Sequence, residues 1–599
     1  MKRWVWLGVL GGVMACTKVP GNKPVEPENV CPGTEEYSLS SPLSSQKAQP
    51  REDGTEAVLI TYRPRAGVSA KASVEAFADE ATRMGAEVNH RFASINTVAA
   101  RVTPETRAAL ARNPDVLRVE PDRPVHAFSL PTSVLPSLVS GAAPNTSGST
   151  GEYTQGLRQV QAPLVWDVNN DGVLDTNAPT GSSVTVCVID SGWDNRHPEL
   201  AAAYAGGKDF IDNDEEPLDQ GKVNGVLVWG GGHGTHTAAT IAAQLGAGAH
   251  VRPGEEPNGV VGVAPTVKLL IARVLNTNGD GSTSAVIAAM DWCIARGANI
   301  ASLSLGSSER SDAEELVFNR AHAAGMVSVA ATGNRGTPNP SYPAAYSTVI
   351  GVGAVDFNGE RASFSQYGPF VKLVGPGVGV LSATIMGGAP YADIQSAGTR
   401  YPSEPLEYTA VGAYTGKLVH CGQGERVAAC GEGATCDGFV ALVDRGGGIL
   451  FQEKALNAIR AGAKAIIIGN NITEDGAGNF TLTDPEDYWV PTTSVTLASA
   501  NTFRGMVGQQ VTVDVTGLDY MRQSGTSMAT PHVAGVAALV WSACRTLNNE
   551  QVADVLLESA ADLGDKGRDD RFGYGLVQAK RAVDLALQRC PPPPPAPAP

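Results

Sequence analysis

Four residues, far apart in the chain, carry side chains that could break an acyl bond if folding brought them together. Ser527 lies in QSGTSMATPHVAGVAALVW, His233 opens HGTHTAATIAA, Asp190 ends SVTVCVID and Asn334 ends AATGN. A serine hydroxyl is a weak nucleophile until a base takes its proton. Histidine does that near neutral pH, and a carboxylate can hold the imidazole in the accepting tautomer. A side-chain amide is the donor that a developing oxyanion needs. Singly, each residue has a plain structural explanation: a helix N-cap for Ser527, a cap or metal ligand for His233, a turn residue for Asn334. An acid, a base, an amide and a hydroxyl together point to acyl transfer.

The elements around them support that grouping. Val533, Ala534, Val536, Ala537, Leu539, Val540 and Trp541 are apolar nearly all round, which predicts a buried helix. Proline is tolerated in a helix's first turn, so Pro531 predicts that the helix begins at or just after Ser527. The positive end of the helix dipole then lies at the hydroxyl. SVTVCVID, KLLIARVL, ANIASLSLG, MVSVAATGN and STVIGVGAV read as strands, with SAVIAAMDWCIARG and AEELVFNRAHAAG as helices between them. This alternation predicts an α/β fold with a doubly wound, mostly parallel sheet, whose sites lie at the carboxyl ends of the strands. Asp190 and Asn334 stand at such ends.

DSG, HGTH and GTSMATPHVAG are similar to the three active-site motifs of the subtilisin-like serine proteases, and SLSLG and AATGN to that family's substrate-binding and oxyanion segments. The chain order Asp, His, Ser is one of those known for such a triad. The resemblance implies Ser527 as nucleophile, His233 as general base, Asp190 as its orienting acid, and Asn334 with the Ser527 backbone N–H as oxyanion donors. It implies a primary pocket lined by Ser304, Leu305 and Gly306, with Gly279 and Gly281 on the facing strand. Residues 56–128, a small α+β pattern, resemble the family's inhibitory propeptide, which implies self-cleavage between Phe128 and Ser129. Phe128 in turn implies broad endopeptidase activity with a large apolar residue before the cut. Residues 405–517, around GFVALVDRGGGILFQEKALNAIRAGAKAIIIGNN, resemble a small α/β protease-associated insert. The α/β domain is thereby expected over 152–384 and 518–588. The competing readings are an inactive scaffold that binds proteins through the insert, and an esterase. The missing G-x-S-x-G elbow speaks against the latter.

The formal charge of −16 offers no basic footprint for nucleic acid. Lys2 and Arg3 precede an apolar run to Met14, a signal peptide over 1–16 that implies export to the medium or the cell surface. VMAC resembles a bacterial lipobox with Cys16 as the lipidated residue. A lipid there would leave with the propeptide, and the membrane is otherwise not a partner. Pro- and Ser-rich residues 17–54 and 129–151 read as linkers, and 591–599 as a proline tail. Cys187 and Cys293 fall in apolar strand and helix patterns and read as buried free thiols. Cys421, Cys430 and Cys436 cluster, and Cys544 and Cys590 are placed to staple the C-terminus. Catalysis needs no cofactor. Structural Ca²⁺ is expected at Asp167, Asn169, Asp171 and Asp175, which alternate as in half an EF-hand loop, or at Asp209, Asp212 and Asp214. The expected partners are protein substrates and the chain's own propeptide, and the expected state is a monomer.

Overall fold

The Thr185–Asp190 strand shows why the centre of the molecule is an α/β sandwich. Val186 and Val188 pack into one core and Cys187 and Ile189 into another, as the two-residue period of a strand buried on both faces requires. Around it a computed structural model gives a seven-stranded sheet in the order 371–376, 349–355, 327–331, 300–303, 185–190, 268–273, 204–209, all neighbours parallel. Helices Thr283–Ala295 and Asp312–Ala323 cover one face. Helices His233–Ala242 and Thr526–Ala543 cover the other. The structure describes residues 30–34, 37, 54–128 and 151–590, apart from 221, 224–225, 228–231, 253–255, 474–475, 479 and 483–485. The signal segment with Cys16, Ser129 and the 591–599 tail lie outside the described residues.

Helix Thr526–Ala543 is buried all round from Thr526 to Trp541. It starts earlier relative to Pro531 than the first-turn rule predicts: Pro531 is its sixth residue. A proline there lacks the N–H that would bond the carbonyl four residues back. That carbonyl belongs to Ser527, and the Ser304 hydroxyl donates to it at 2.8 Å. A neighbouring side chain thus satisfies the group that the proline orphans.

Residues 56–128 form a four-stranded antiparallel sheet, 87–92, 97–102, 56–62, 116–121, backed by helices Ala70–Arg83 and Pro104–Leu110. A short strand, Pro124–Ala127, leaves this unit and inserts between Asp280–Ser282 and Leu305–Gly306 of the α/β domain, antiparallel to both. The insert is a closed seven-stranded barrel, 389–396, 399–405, 492–495, 463–469, 439–444, 412–420, 510–518, with helices Phe451–Arg460 and Leu497–Arg504. It begins at Ala389 and not at 405, because strands Ala389–Ser396 and Thr399–Pro405 close it. Its entry and exit form a two-stranded stem, Val380–Ala383 against Tyr520–Gln523.

The cysteines differ from the sequence expectation in two places. Cys187 and Cys293 are joined in a disulfide, with Cα atoms 6.0 Å apart. The apolar patterns showed that both were buried but not that the strand and helix packed face to face. Closing a loop of this size contributes about 4–5 kcal/mol in the chain-entropy account. Cys421 pairs with Cys430 and Cys544 with Cys590. Cys436 pairs with Cys31, 405 residues away, inside the segment read as linker.

That last bond corrects the expectation that everything before residue 129 leaves together after a cut. The segment around Cys31 is docked on the barrel: Cys31 N donates to Arg460 O at 2.8 Å, and Tyr37 stacks on Tyr488 at 4.7 Å. Cleavage after Phe128 breaks one covalent connection and leaves this one. Freshly matured protein should therefore carry a Cys31-containing peptide on Cys436, lost on reduction. Intact mass with and without reductant checks this. A non-reduced species lacking that peptide would show that the bond does not survive maturation.

Candidate active site

Asp190 ends its strand almost wholly buried, and His233 opens its helix in the same state. His233 Nδ1 bonds Asp190 Oδ1 at 2.6 Å. The Thr237 hydroxyl donates to Oδ2 at 3.3 Å, and Ser191 N to Oδ1 at 2.7 Å. The two helix–strand units come this close because their motif glycines interlock. A Cβ on Gly234 would lie 2.2 Å from the Gly192 carbonyl oxygen, and Gly192 itself has φ +110°. Burial alone disfavours the imidazolium, but the Asp190 carboxylate outweighs it by charge and hydrogen bond, with help from Asp219. The His233 pKa is raised above 6.5.

The sign of that shift gives a prediction. Imidazole accepts a proton only when neutral, so a raised pKa carries the inactive imidazolium to higher pH. Activity should be lost as pH falls, with the acid limb of the kcat profile centred above pH 6.5. Asp219→Asn should move that limb down. A limb below 6.5, or one indifferent to Asp219, would contradict the electrostatics.

Ser527 is the second residue of its helix, and Gly525 precedes the helix as its cap, so Ser527 is not an N-cap. Its hydroxyl donates to the Ser304 carbonyl at 2.8 Å. His233 Nε2 is buried and has no hydrogen-bond partner among the described residues. The structure thus joins Asp190 to His233 directly and leaves the Ser527 hydroxyl on Ser304.

Asn334 and Ser527 meet at one atom. The Asn334 side-chain amide donates to the Phe128 carbonyl oxygen at 2.6 Å, and Ser527 N donates to the same oxygen at 3.4 Å. The rest of the segment lies as an added strand. Phe128 N donates to Ser304 O at 3.1 Å and Ala127 N to Gly279 O at 2.9 Å, while Leu305 pairs with Ala127 and Gly306 with His126. The Phe128 ring rests on Gly306, where a Cβ would lie 2.8 Å from Cε2. Val125 is fully buried beside Gly281, whose Cβ would lie 3.2 Å from it. Arg335, exposed, joins Gly306 and Ser341 in lining the cavity beside Phe128.

Several contributors carried no usable sequence signal. Asp219 is buried and accepts from Thr235 N, Thr235 Oγ1, Gly232 N and Ser191 Oγ at 2.8–3.1 Å, which fixes the start of the His233 helix. Thr526 donates to Asn334 Oδ1 from both its N and its Oγ1 at 2.9 Å, turning the amide nitrogen toward Phe128. Two carboxylates of the N-terminal unit cap helices of the α/β domain. Glu120 accepts from Ser311 Oγ, Asp312 N and Ala313 N, and Asp122 from Ser284 N and Oγ. Anions belong at helix N-termini, but nothing in one sequence pairs residue 120 with residue 312.

In the acidic stretches read as calcium loops the carboxylates have partners within the protein. Arg273 Nη1 bonds Asp209 at 2.5 Å and Asp212 at 2.6 Å, so a guanidinium holds the charge that Ca²⁺ would need. Asp214 Oδ1 accepts from Glu216 N. Asp167 is spent on Asp171 N, Gly172 N and the Tyr153 hydroxyl, Asp175 on Val168 N, and Asn169 on Asp171. Among the described residues no group of three or more acidic, His or Cys side chains converges as a metal site.

Two donors closed on the carbonyl of an extended segment, with a serine at one of them and an acid–imidazole pair alongside, are what a serine hydrolase of peptide bonds offers its substrate. Comparison with known proteins narrows this class. Residues 181–400 and 394–575 match the subtilase family of S8 peptidases, and 44–128 match peptidase inhibitor I9. An alkaline protease from Shouchella clausii is 33% identical over 370 residues, 61% of this chain and 83% of its own. Subtilisin E from Bacillus subtilis is 32% identical over 314 residues, 52% of this chain and 69% of its own. Fervidolysin from Fervidobacterium pennivorans, a keratinolytic enzyme related to subtilisin, shares the fold at TM-score 0.53 and 20% identity, over 88% of this chain and 61% of its own. The chain belongs to the subtilase family: it is a subtilisin-type serine endopeptidase with an I9 inhibitor segment ahead of its peptidase domain.

Proposed function

We propose that Ser527, His233 and Asp190 act as nucleophile, general base and orienting acid in peptide-bond hydrolysis, and that the enzyme makes itself by cutting after Phe128. The single observation that carries this reading is the Phe128 carbonyl oxygen held by Asn334 and Ser527 N. In the reaction the Ser527 hydroxyl leaves the Ser304 carbonyl, gives its proton to His233 Nε2 and attacks the Phe128 carbonyl carbon. The negative charge falls on the oxygen that the two donors already hold. His233 then protonates the departing amine, and water repeats the sequence to release the acid. Substrate enters as a strand between 280–282 and 305–306, with a large apolar residue over Gly306 and an aliphatic one at the Val125 position. Residues 56–128 remain in the cleft as inhibitor after the cut.

The leader and the bonded cysteines support export, and VMAC supports a lipid on Cys16. The barrel's parallel strands flanking helix Phe451–Arg460 support its reading as a protease-associated domain that governs access or protein contacts. N-terminal sequencing of wild type and Ser527→Ala tests the central claim. Wild type should begin at or near Ser129 and the variant should stay uncut there. Equal processing of both would assign the cut to another protease.

A further inference from the structure

The segment that fills the cleft carries a histidine and an arginine, and each faces a carboxylate of the peptidase domain. His126 lies third back from the cut, directly opposite Asp280 in the antiparallel register. Directly opposed side chains lie on one face of a sheet, and His126 Nδ1 is 2.7 Å from Asp280 Oδ1. Arg123, sixth back, donates from Nε to Glu309 Oε2 at 2.7 Å and from Nη1 to the Arg310 carbonyl at 3.0 Å. Between them Val125 is buried and Pro124 exposed, so the wall that takes Val125 is apolar while Arg123 and His126 meet carboxylates.

Both carboxylates stay with the enzyme once the inhibitor segment leaves. Asp280 sits on the substrate-pairing strand, its chain fixed by bonds from Asn276 N to its carbonyl and from its own N to Asn276 Oδ1. Among the described residues neither carboxylate enters another ion pair. The adjacent cation, Arg310, is engaged by Asp312 and Glu315. The side chains of Asp280 and Glu309 are 45% and 67% exposed, open to whatever peptide lies in the cleft.

We infer that Asp280 and Glu309 are specificity-determining residues that select cationic side chains three and six positions before the cut, so that the preferred substrates are basic, amphipathic peptides. This rests on the proposed peptide hydrolysis and names its substrate class.

Matured enzyme, active-site titrated, tests this on hexapeptide anilides Z-Pro-Val-X-Ala-Phe. Lys is compared with Gln at X with Z held as Gln, then at Z with X held as Gln. The ratio of kcat/KM for two substrates on one preparation cancels differences in folded fraction. At low salt, Lys should exceed Gln by about two- to fivefold at each position, the range that exposed ion pairs reach. The ratio should fall toward one in about 1 M salt, where the Debye length is about 3 Å. Asp280→Asn should abolish the preference at X and spare that at Z, and Glu309→Gln should do the reverse. Equal turnover of Lys and Gln substrates by wild type, or a preference that survives both substitutions, overturns the inference while leaving peptide hydrolysis intact. Failure to cleave any of the peptides overturns both readings.

Discussion

Ser527→Ala should lower kcat by roughly 10⁶-fold, as loss of the nucleophilic serine does in subtilisins. Ser527 Oγ is the hydroxyl at the carbonyl that Asn334 and Ser527 N hold, and the backbone donor survives the substitution. The helix should survive too. Alanine is the better helix former, and the hydroxyl caps nothing: its bond runs to the Ser304 carbonyl. Ser304 O keeps its bond from Phe128 N, so the loss is that of one ordinary hydrogen bond, about 0.5–1.5 kcal/mol. The variant should therefore fold, retain the N-terminal unit in its cleft and lose only the chemistry. Kinetics on a peptide anilide, with the N-terminal unit first removed by an added protease, and a thermal melt of the same preparation separate the two effects. Retention of a tenth of wild-type activity would remove Ser527 from the mechanism.

Asn334→Ala should lower kcat by about 10²–10³-fold, the range known for such an amide in subtilisins. Here the structure adds a reason for the size. The amide is aimed, not free: Thr526 takes both bonds to Oδ1, so Nδ2 has one direction left, and that is the Phe128 oxygen at 2.6 Å. An aimed donor costs no reorganisation when charge develops. The loss should fall on kcat more than on KM, because the strand bonds of Ala127 and Phe128 still bind substrate. Thr526→Val should lose part of the same effect by freeing the amide, whereas Thr526→Ser should recover it. A fall of less than fivefold in Asn334→Ala would mean that the backbone donor suffices.

What the sequence made legible follows from range. The strand ending at Asp190 and the buried helix after Ser527 are written in local periodicity, and both formed. So did the short strands of the 56–128 unit that alternate apolar residues. Strand Glu87–Phe92 carries no such alternation, since EVNHRF buries only Phe92 fully. The expected edge of the barrel fell too late because Thr399–Pro405 buries only Ser403, and Ala389–Ser396 buries residues without a two-residue alternation. The Cys187–Cys293 and Cys31–Cys436 bonds, the cap by Glu120 and the support by Asp219 depend on which surfaces meet. No single segment encodes that. The acidic loop at Asp209 reads as a cation site until Arg273, more than sixty residues on, is seen to lie in it.

The stem of the barrel has a mechanical consequence. His236, one turn along from His233, shares its Nε2–H between the carbonyls of Val380 and Met521, one on each strand of the stem, at 3.1 and 3.2 Å. Burial above all drives the His236 pKa down to about 3, so this rivet stays neutral and holds across the working pH range. The other end of the stem, Gln523, runs within four residues into Ser527. Two hydrogen-bonded strands resist twisting as a single chain does not. The stem thus ties the barrel to the His233 helix through His236 and to the Ser527 helix through the chain itself, so the two helices share one attachment to the barrel.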